Sequence, residues 1–390
     1  MKAKRLWPCM LAMLPFGAAA GLAAQTNAPA LPDTPITLTL VARGLDHPWS
    51  LQFLPDGRML VSERPGRLRI IRADGGMSDP VTGLPEVAGG GQGGLLDVLL
   101  ARDFAESGLI YFSYAEPRGD GTNATAVARA RLTLTAAGGN LGPVSVIFRQ
   151  QPAIASAAHF GSRLVWGRDG TLFITLGERY SMRDSAQDLA TDLGKVVRIT
   201  PDGGIPPDNP FVGQPGKQGE IWSYGHRNSQ GAAVDPATGA LWMTEHGAMG
   251  GDELNIIRPG GNYGWPLVTY GTDYDGTAIG IGTAAPGLEE PLYYWNPSIA
   301  TSGLAFYEGD LFPAWRGHVL VGGLAGQTLQ RLDIGNGTVR GVEVVLNRAR
   351  AGVVTGGGSM RVRDVRVAPD GSVMVLTDEA DGRLIRITPQ

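Results

Sequence analysis

The sequence predicts an all-β protein, a six-bladed β-propeller of four-stranded antiparallel blades whose ring is closed by the N-terminal strand. Three observations predict this fold. Short apolar runs alternate with turns along the 390 residues, 58 glycines and 27 prolines separate these runs, and one strand–turn–strand pattern recurs six times. Many short strands with regularly placed turn residues are typical of all-β architectures.

The repeated pattern is an apolar run, a turn that usually contains Asp and Gly, and a second apolar run. A tight turn of this kind joins two antiparallel strands into a hairpin. Because a single small sheet cannot bury both of its faces, similar copies at intervals along a chain are expected to stack around a common axis. The copies lie at 49–63, 95–114, 162–178, 230–245, 301–323 and 362–379.

The ends of the chain predict how the ring closes. Two copies continue into a third strand, GRLRII at 66–71 and GRLIRI at 382–387. The last copy stops near the C-terminus with few strands of its own, whereas ITLTLVARGL at 36–45 belongs to no copy. We therefore expect 36–45 to complete the last blade. A β-sandwich of repeated hairpins is the alternative fold.

The first 24 residues read as a secretory signal peptide, with basic residues, an apolar run and then small residues. This predicts a mature domain over 25–390 and a periplasmic or secreted location. The only cysteine, Cys9, lies in the segment to be removed, so no thiolate is left for disulfides or metals. A lipid anchor on Cys9 is the alternative, but WPCM lacks the small residues expected before such a cysteine.

Composition excludes several classes of protein. The chain is 43% hydrophobic and 18% charged, which is typical of a soluble globular protein without a membrane span. Its net charge is −4, and no basic stripe is present to neutralise phosphates, so nucleic acid is not expected as a partner. The sequence does not distinguish a monomer from a homodimer.

A histidine and a carboxylate flank the third hairpin. His159 precedes its first strand and Glu178 follows its second, so antiparallel pairing would place both at one edge of the sheet. A carboxylate there can orient an imidazole, fix its tautomer and raise its basicity, as a general base requires. The alternative is a histidine that only caps a turn, beside a solvated glutamate.

Two further groups carry fixed positive charge. GHRN at 225–228 offers the forked donors of Arg227 next to the amide of Asn228, which suits a carbonyl or carboxylate on a ligand. In RVRDVR at 361–366, strand alternation would turn Arg361 and Arg363 to the same side, where an anion could lie between them. Surface salt bridges are the alternative explanation for this arginine pair.

The segment 244–266 combines carboxylates with glycines. Asp252 and Glu253 lie among glycines whose carbonyl oxygens can turn inward, and Tyr263 follows. Oxygen ligands suit calcium, although the spacing is not that of an EF-hand loop. Gln92, within AGGGQGGLLD at 88–97, adds another polar group on a glycine-rich loop. Together these loops predict a site for an anionic, carbonyl-rich ligand at one mouth of the central channel.

Several ordered motifs then identify a resemblance that runs from about residue 36 to the end. LDHPWSLQFLPDGRMLVSERPGRLRI, GGGQGGLLDV, HFGSRLVWGRDGTLFITLGER, YGHRNSQG, EHGAMGGDELNII, GNYGWP and RVRDVRVAPDG resemble the soluble aldose sugar dehydrogenases that depend on pyrroloquinoline quinone (PQQ). These are related to soluble quinoprotein glucose dehydrogenase. The resemblance implies a six-bladed propeller with PQQ and Ca²⁺ near its axis.

The resemblance also implies roles for single residues. His159 corresponds to the family's base and Glu178 to its orienting carboxylate, and Arg227 stabilises charge during the reaction. The cofactor contacts correspond to Gln92, His159, Arg227, Asn228, Tyr274, Arg361 and Arg363. For calcium, the resemblance points to the backbone oxygens of Gly247 and Ala248, and in some members to Glu253 and Tyr263.

One position departs from the family. Members often carry a cofactor-contacting lysine in the fifth repeat, where this chain reads GGLAGQT at 322–328 with Ala325 near that place. The contact is therefore expected to be lost or replaced by Gln327.

The expected reaction is oxidation of an aldose at its anomeric carbon to a lactone, with hydride transfer to PQQ and His159 as the base. The expected partners are a small sugar and an external electron acceptor. Two other functions remain open on the same fold, a calcium-dependent lactonase and a non-catalytic propeller that binds carbohydrate.

Overall fold

The computed structural model describes residues 24–390. The predicted signal peptide, apart from its last residue, and Cys9 lie outside the described residues. Within them, no helix is both long and apolar enough to cross a bilayer. The cleavage of the chain after residue 24 stays a prediction.

Twenty-four β-strands form six antiparallel sheets in residues 24–390. In each sheet, a first and a second strand form the inner hairpin. In chain order, the six hairpins are β2 (Pro48–Phe53) with β3 (Met59–Glu63), β5 (Leu95–Leu100) with β6 (Leu109–Pro117), β10 (Gly161–Trp166) with β11 (Leu172–Leu176), β14 (Ser229–Val234) with β15 (Leu241–Glu245), β18 (Thr301–Phe306) with β19 (Val319–Gly323), and β22 (Val362–Val367) with β23 (Val373–Thr377). The outer strands are β1 (Ile36–Leu45), β4 (Arg67–Ile71), β7 (Asn123–Leu134), β8 (Gly139–Leu141), β9 (Ser145–Arg149), β12 (Lys195–Ile199), β13 (Ile221–Tyr224), β16 (Asp252–Ile257), β17 (Tyr293–Trp295), β20 (Thr328–Gly335), β21 (Thr338–Asn347) and β24 (Gly382–Pro389).

The six first strands surround a common axis. Each of them contacts the first strand of the next sheet, and β22 contacts β2, so the sheets form a closed ring. This confirms the six-bladed β-propeller, with each predicted repeat as the inner hairpin of one blade. Four blades have four strands, the first has three, and the second has five because the long strand β7 pairs with both β8 and β9.

The N-terminal strand closes the ring as predicted. β1 pairs antiparallel with β24 along its whole length, from Ile36 opposite Pro389 to Leu45 opposite Gly382. The last blade therefore takes its outermost strand from the start of the domain and its other three from the end of the chain.

The Asp-Gly turns explain why the hairpins form where they do. In the third blade, Gly170 has a φ of +84°, which favours glycine. The Asp169 carboxylate accepts hydrogen bonds from the backbone N–H of Thr171 at 3.0 Å and from its hydroxyl at 2.7 Å. Asp370 makes the same two contacts with Ser372 in the last blade. The second and fifth hairpins instead contain a short α-helix, α1 (Phe104–Ser107), and a 3-10 helix (Pro313–Trp315).

The core lies between neighbouring blades. All five residues of β3, β11, β15, β19 and β23 are buried, because each second strand is covered on both faces by the adjacent sheets. This explains why their sequences are apolar almost throughout, as in LFITL of β11. A second helix, α2 (Arg348–Thr355), follows β21 and is capped by the Asn347 side chain, which accepts from the N–H of Arg350 at 2.9 Å.

Candidate active site

One end of the ring collects polar side chains from several blades. Four second strands end in a carboxylate or just before one, and these carboxylates are Glu63, Glu178, Glu245 and Asp378. Because the strands of a hairpin are antiparallel, the residues that precede the first strands lie at the same end. We call this end of the ring the site face.

The first strand of every blade shifts register against its second strand near the site face. The shifts lie, for example, between Gly161 and Leu164 and between Val362 and Asp364. A β-bulge re-aims the side chains next to it and is common beside active sites. The shift is therefore a property of the repeated blade and affects which side chains reach the channel mouth.

His159 and Glu178 are hydrogen-bonded at the site face, as the sequence predicts. The imidazole Nδ1 lies 2.8 Å from Glu178 Oε2, and the two residues are only 4% and 1% exposed. The same carboxylate oxygen also accepts from the backbone N–H of Tyr180, whose ring meets the imidazole edge-on at 5.3 Å. Because an ionised carboxylate only accepts, Nδ1 carries the proton and Nε2 is left as an acceptor.

The protonation of His159 suits a base. Burial lowers its pKa below the usual value, and the positive charges of Arg227 and Arg179 act in the same direction. Glu178 opposes this shift through its hydrogen bond and its charge. His159 is therefore neutral at neutral pH, and its free nitrogen can take a proton.

The backbone around this pair adopts unusual angles. His159, Ser162, Arg179 and Tyr180 have positive φ values of 50°, 82°, 65° and 68°. Such angles cost on the order of 1–3 kcal/mol each for a non-glycine residue and persist only where the surroundings enforce them.

The guanidinium of Arg179 holds the segment that leads to His159. It donates to the carbonyl of Ala158 at 3.0 Å, to the carbonyl of Asn123 at 3.1 Å and to the carbonyl of Ser156. It also lies 3.9 Å from the centre of the Phe160 ring. These contacts fix the chain on both sides of the histidine and help to maintain its strained backbone.

A cleft of about 240 Å³ opens beside this pair. Its walls include four predicted site residues, Glu178, Arg227, Ala248 and Tyr274. They also include Tyr180, Ser181, Arg183, Trp265, Asp273 and Ile279, which the sequence analysis did not single out. Arg183 and Asp273 form an ion pair of 3.0 Å across its rim. The sequence signals for this second group were their positions in the chain, since Tyr180 and Ser181 follow Glu178, Trp265 lies within the segment 244–266 and Asp273 precedes Tyr274.

Arg227 joins the cleft to the His159–Glu178 pair. Its carbonyl accepts from the N–H of Glu178 at 3.0 Å, and its guanidinium donates to the Tyr274 hydroxyl at 3.3 Å. The guanidinium also lies 5.3 Å from the centre of the Trp265 ring. Its Nε is buried and has no hydrogen-bond partner in residues 24–390.

Asn228 and Gln92 lie against the same segment. The side-chain oxygen of Asn228 accepts from the N–H of Gly161 at 3.2 Å, while its Nδ2 is buried without a partner among the described residues. The side-chain oxygen of Gln92 accepts from the N–H of His159 at 2.9 Å. The structure thus brings Gln92 and Asn228 beside the predicted base from two other blades.

Arg361 and Arg363 of the last blade do not lie in the same environment, contrary to the expectation that they face the same way. Arg361 precedes β22 and is exposed, whereas Arg363 is 5% exposed and binds Asp378 and Gln230. The register shift between Val362 and Asp364 interrupts the strict alternation on which that expectation rested. The Nε of Arg363 is buried and unpaired within residues 24–390.

Asp378 organises this side of the site face. Besides Arg363, it contacts His47 Nδ1 at 3.0 Å and Arg64 at 3.2 Å. Burial alone would raise the pKa of Asp378, but the nearby guanidinium groups of Arg363 and Arg64 hold it well below its usual range. Arg64 also donates to the carbonyl of Gly91, so this network reaches the loop that carries Gln92.

The predicted calcium residues form the adjoining part of the site. In residues 24–390, no group of three or more His, Cys, Asp or Glu side chains is arranged to hold a metal ion. Gly247 and Ala248 lie next to Arg227, and Ala248 lines the cleft. The N–H of Gly247 is held by Asp252 at 2.9 Å.

Glu253 lies directly opposite Glu245 on the neighbouring strand, beside a small cavity that also contacts Gly247 and Tyr263. Burial raises the pKa of Glu253 well above its usual value, and the charge of Glu245 adds to this. Two facing carboxylates favour a cation between them. The Tyr263 hydroxyl donates to Ile256 at 2.6 Å and accepts from the N–H of Arg258 at 2.8 Å, so its carbonyl oxygen is the group left for a metal.

In the fifth blade, Ala325 and Gln327 make local contacts with the backbone of the neighbouring segments. Ala325 donates its backbone N–H to the carbonyl of Ile299 at 2.9 Å. The side-chain oxygen of Gln327 accepts from the N–H of Met360 at 3.0 Å, so it serves the connection to the last blade. Gln327 as a substitute cofactor contact stays a prediction.

A family model, a sequence relative and two solved structures all match this chain to sugar dehydrogenases. A family model described as glucose/sorbosone dehydrogenase matches residues 45–386. The chain is 45% identical over 353 residues to aldose sugar dehydrogenase YliI of Escherichia coli, covering 89% of this chain and 91% of that protein. A crystal structure of a glucose dehydrogenase superposes with a TM-score of 0.84 at 49% identity, covering 90% of this chain and 99% of that one. The PQQ-bound form of an aldose sugar dehydrogenase from Streptomyces coelicolor superposes with a TM-score of 0.73 at 29% identity, covering 92% and 99%.

Proposed function

Because the chain belongs to the glucose/sorbosone dehydrogenase family, we propose that it is a PQQ-dependent enzyme that oxidises aldose sugars to lactones. The observation that carries this proposal is the buried His159–Glu178 pair beside an arginine-bearing cleft. The relative named as an aldose sugar dehydrogenase and the PQQ-bound structural relative support the substrate class and the cofactor.

The residues at the site face fit an anionic quinone. Arg227, Asn228 and Arg363 each carry a buried N–H group without a partner in residues 24–390. Buried donors of this kind are costly unless a ligand satisfies them. PQQ carries carboxylates and carbonyl oxygens, which are the acceptors that such donors need. We assign its binding to Gln92, His159, Arg227, Asn228, Tyr274, Arg361 and Arg363.

The proposed metal is Ca²⁺. The backbone oxygens of Gly247 and Ala248 would hold it near Arg227 and the cleft. The facing carboxylates Glu245 and Glu253 favour a cation in the adjoining cavity, where the carbonyl of Tyr263 is a further oxygen ligand. Hard oxygen ligands of this type match calcium better than a transition metal.

The geometry supports a role in this reaction for three of the chain's own residues. Nε2 of His159 accepts the proton of the anomeric hydroxyl, and Glu178 holds the ring in the tautomer that leaves Nε2 free. Bound PQQ supplies the quinone that accepts the hydride. Arg227 places a fixed positive charge at the cleft, where it stabilises negative charge that develops during the reaction.

A reconstitution experiment tests this proposal. The purified apoprotein is mixed with PQQ and Ca²⁺, and reduction of an artificial dye is followed with a panel of aldoses. We expect dye reduction only when both additions and a sugar are present. Hydrolysis of lactones with Ca²⁺ alone would instead indicate a lactonase, and sugar binding without turnover would indicate a non-catalytic propeller. A periplasmic location and an external electron acceptor complete the proposal.

A further inference from the structure

A fully buried lysine lies beneath the cleft and has no role in the proposed reaction. Lys195 begins β12, and its side chain is 0% exposed. Its ammonium nitrogen donates to the carbonyls of Ser185 at 2.9 Å, Ala186 at 3.0 Å and Leu193 at 2.7 Å. An ammonium group has three N–H donors and no acceptor, so these carbonyls use all of its hydrogen-bonding capacity.

The contact is with backbone oxygens and not with a carboxylate. Asp192 makes no ion pair with Lys195 in residues 24–390, and its carboxylate accepts instead from the N–H of Gln151 at 2.7 Å. Bringing a charged ammonium out of water is unfavourable unless hydrogen bonds replace its hydration. The three carbonyls provide these hydrogen bonds, and the lysine in turn fixes the positions of those carbonyls.

Two of the three carbonyls, those of Ser185 and Ala186, belong to the segment that begins at the wall of the cleft. Ser185 and Ala186 lie in a 3-10 helix (Arg183–Gln187), which starts at the cleft residue Arg183. The carbonyl of Ala186 also accepts from the N–H of Gly225 at 2.9 Å, two residues before Arg227. The Gln187 side chain donates to the carbonyl of Trp265 at 2.7 Å. Three loops that line the cleft are therefore joined at this point.

The floor of the cleft packs on the same segment. The methyl group of Ala186 is buried in a small apolar cluster with Ala248, Trp265 and Ile279. Those three residues line the cleft itself. A shift of the 183–187 helix would consequently move the cleft floor as well as its wall.

We propose that Lys195 is a positioning residue for the substrate cleft, and that the hydrogen bonds of its side-chain nitrogen hold the backbone carbonyls of Ser185, Ala186 and Leu193 in place. The expected change in the KM for sugar rests on the proposed function. The expected change in the backbone of 181–194 does not depend on that function.

Substitution and chemical rescue test the proposal. Lys195→Ala removes three methylene groups and the ammonium, a volume that n-propylammonium can refill. We expect faster hydrogen–deuterium exchange in 181–194 and a KM for sugar raised about 10-fold to 100-fold, because small displacements of binding groups are costly. Added n-propylammonium should restore both, whereas n-propanol, which has one donor, should not. Lys217→Ala is the matched control, because Lys217 is exposed and its ammonium donates to the Gln214 side chain on the surface and lies 5.0 Å from the centre of the Phe211 ring, away from the cleft.

Lys195→Met removes the N–H donors of the side chain but keeps most of its volume. This variant replaces Lys195→Ala in the experiment if the alanine variant does not fold. It keeps an unbranched side chain without donors, so we expect the same faster exchange in 181–194. Wild-type exchange in Lys195→Met would overturn the proposal, and so would equal rescue of Lys195→Ala by n-propanol. If the wild-type protein does not oxidise sugars, the proposed function fails, while the exchange measurements still decide the role of Lys195.

Discussion

His159 and His226 show how one local arrangement can serve two purposes. Each Nδ1 contacts a carboxylate nineteen residues later, Glu178 at 2.8 Å and Glu245 at 3.0 Å. The second ring nitrogen of His226 is occupied by the Ser223 hydroxyl at 2.8 Å, and its ring stacks on Tyr263 at 4.7 Å. His226 is therefore enclosed and satisfied, whereas His159 keeps a free nitrogen beside the cleft.

Replacing His159 tests its role as the base. His159→Gln should lower kcat about 10²-fold to 10⁴-fold, because general-base catalysis contributes this much. Binding of PQQ to the apoprotein, followed by fluorescence titration, should weaken far less than kcat falls, because the other assigned residues still hold the cofactor. His318→Gln is the control, since His318 precedes a second strand and so lies at the opposite end of the ring. Retention of more than about a tenth of kcat in His159→Gln would identify another base.

The pH dependence provides a second test at the same residue. The base must be neutral, so kcat/KM should fall as the pH drops through the pKa of His159, with a midpoint below 6.5 because burial lowers that pKa. Glu178 raises the pKa of His159, so Glu178→Gln should move the midpoint to still lower pH. Profiles of kcat/KM between about pH 4 and 8 measure both midpoints. A midpoint that rises in Glu178→Gln would contradict the assigned pairing.

At the scale of elements, closure of the ring depends on the packing of β1. Leu45, at its end, is fully buried, whereas Thr39 is exposed. Leu45→Ala should lower the free energy of unfolding by about 2–5 kcal/mol, because it leaves a cavity in the core. Thr39→Ala should change it by less than about 0.5 kcal/mol. Urea unfolding of the two apoprotein variants measures the difference, and equal stabilities would show that this end of β1 does not hold the ring closed.

The hairpins could be predicted from sequence because their determinants are local. An Asp-Gly turn such as that at Asp169 and Gly170 sets the strands on both sides of it within a few residues. The helix α1 in the second hairpin was not predicted, because its four residues lack the periodic apolar pattern of a longer helix. The register shift that separates Arg361 from Arg363 was also not predictable from strict alternation.

The site was predictable only in part, because only some of its contacts join residues that are close in the chain. His159 and Glu178 belong to one hairpin, so their spacing indicates their contact. Trp265 takes its role from contacts between loops of different blades, so its position follows only from the assembled ring. Lys195 binds carbonyls of its own blade, but no residue pattern in the sequence signals those contacts. The family resemblance supplied Tyr274, and it gave Gln92, a polar group on a glycine-rich loop, a place at the cofactor that the spacing of residues would not have given it.

At the scale of the whole molecule, buried charges connect the blades across the axis. Arg163 of the third blade lies 3.2 Å from Asp97 of the second and 3.2 Å from Asp364 of the last. It also donates to the carbonyl of Gln230 of the fourth blade at 2.9 Å. Ser50 of the first blade donates to Asp97 at 2.5 Å, so five of the six blades share one network.

Arg163 and Arg366 both face the buried carboxylates of Asp97 and Asp364, so the network predicts a large loss of stability when one of these cations is removed. Arg163→Met should lower the free energy of unfolding by about 3–5 kcal/mol, since removal of one partner leaves buried charge uncompensated. Adding Asp97→Asn should recover part of that loss, because it removes one of the unbalanced charges. Arg58→Met is the control and should cost less than about 1 kcal/mol, since Arg58 pairs with Asp56 at the surface. Equilibrium urea unfolding measures all of these variants. If Arg163→Met were as stable as Arg58→Met, the blades would be held together by their apolar interfaces alone, and the axial charges would have no part in closing the ring.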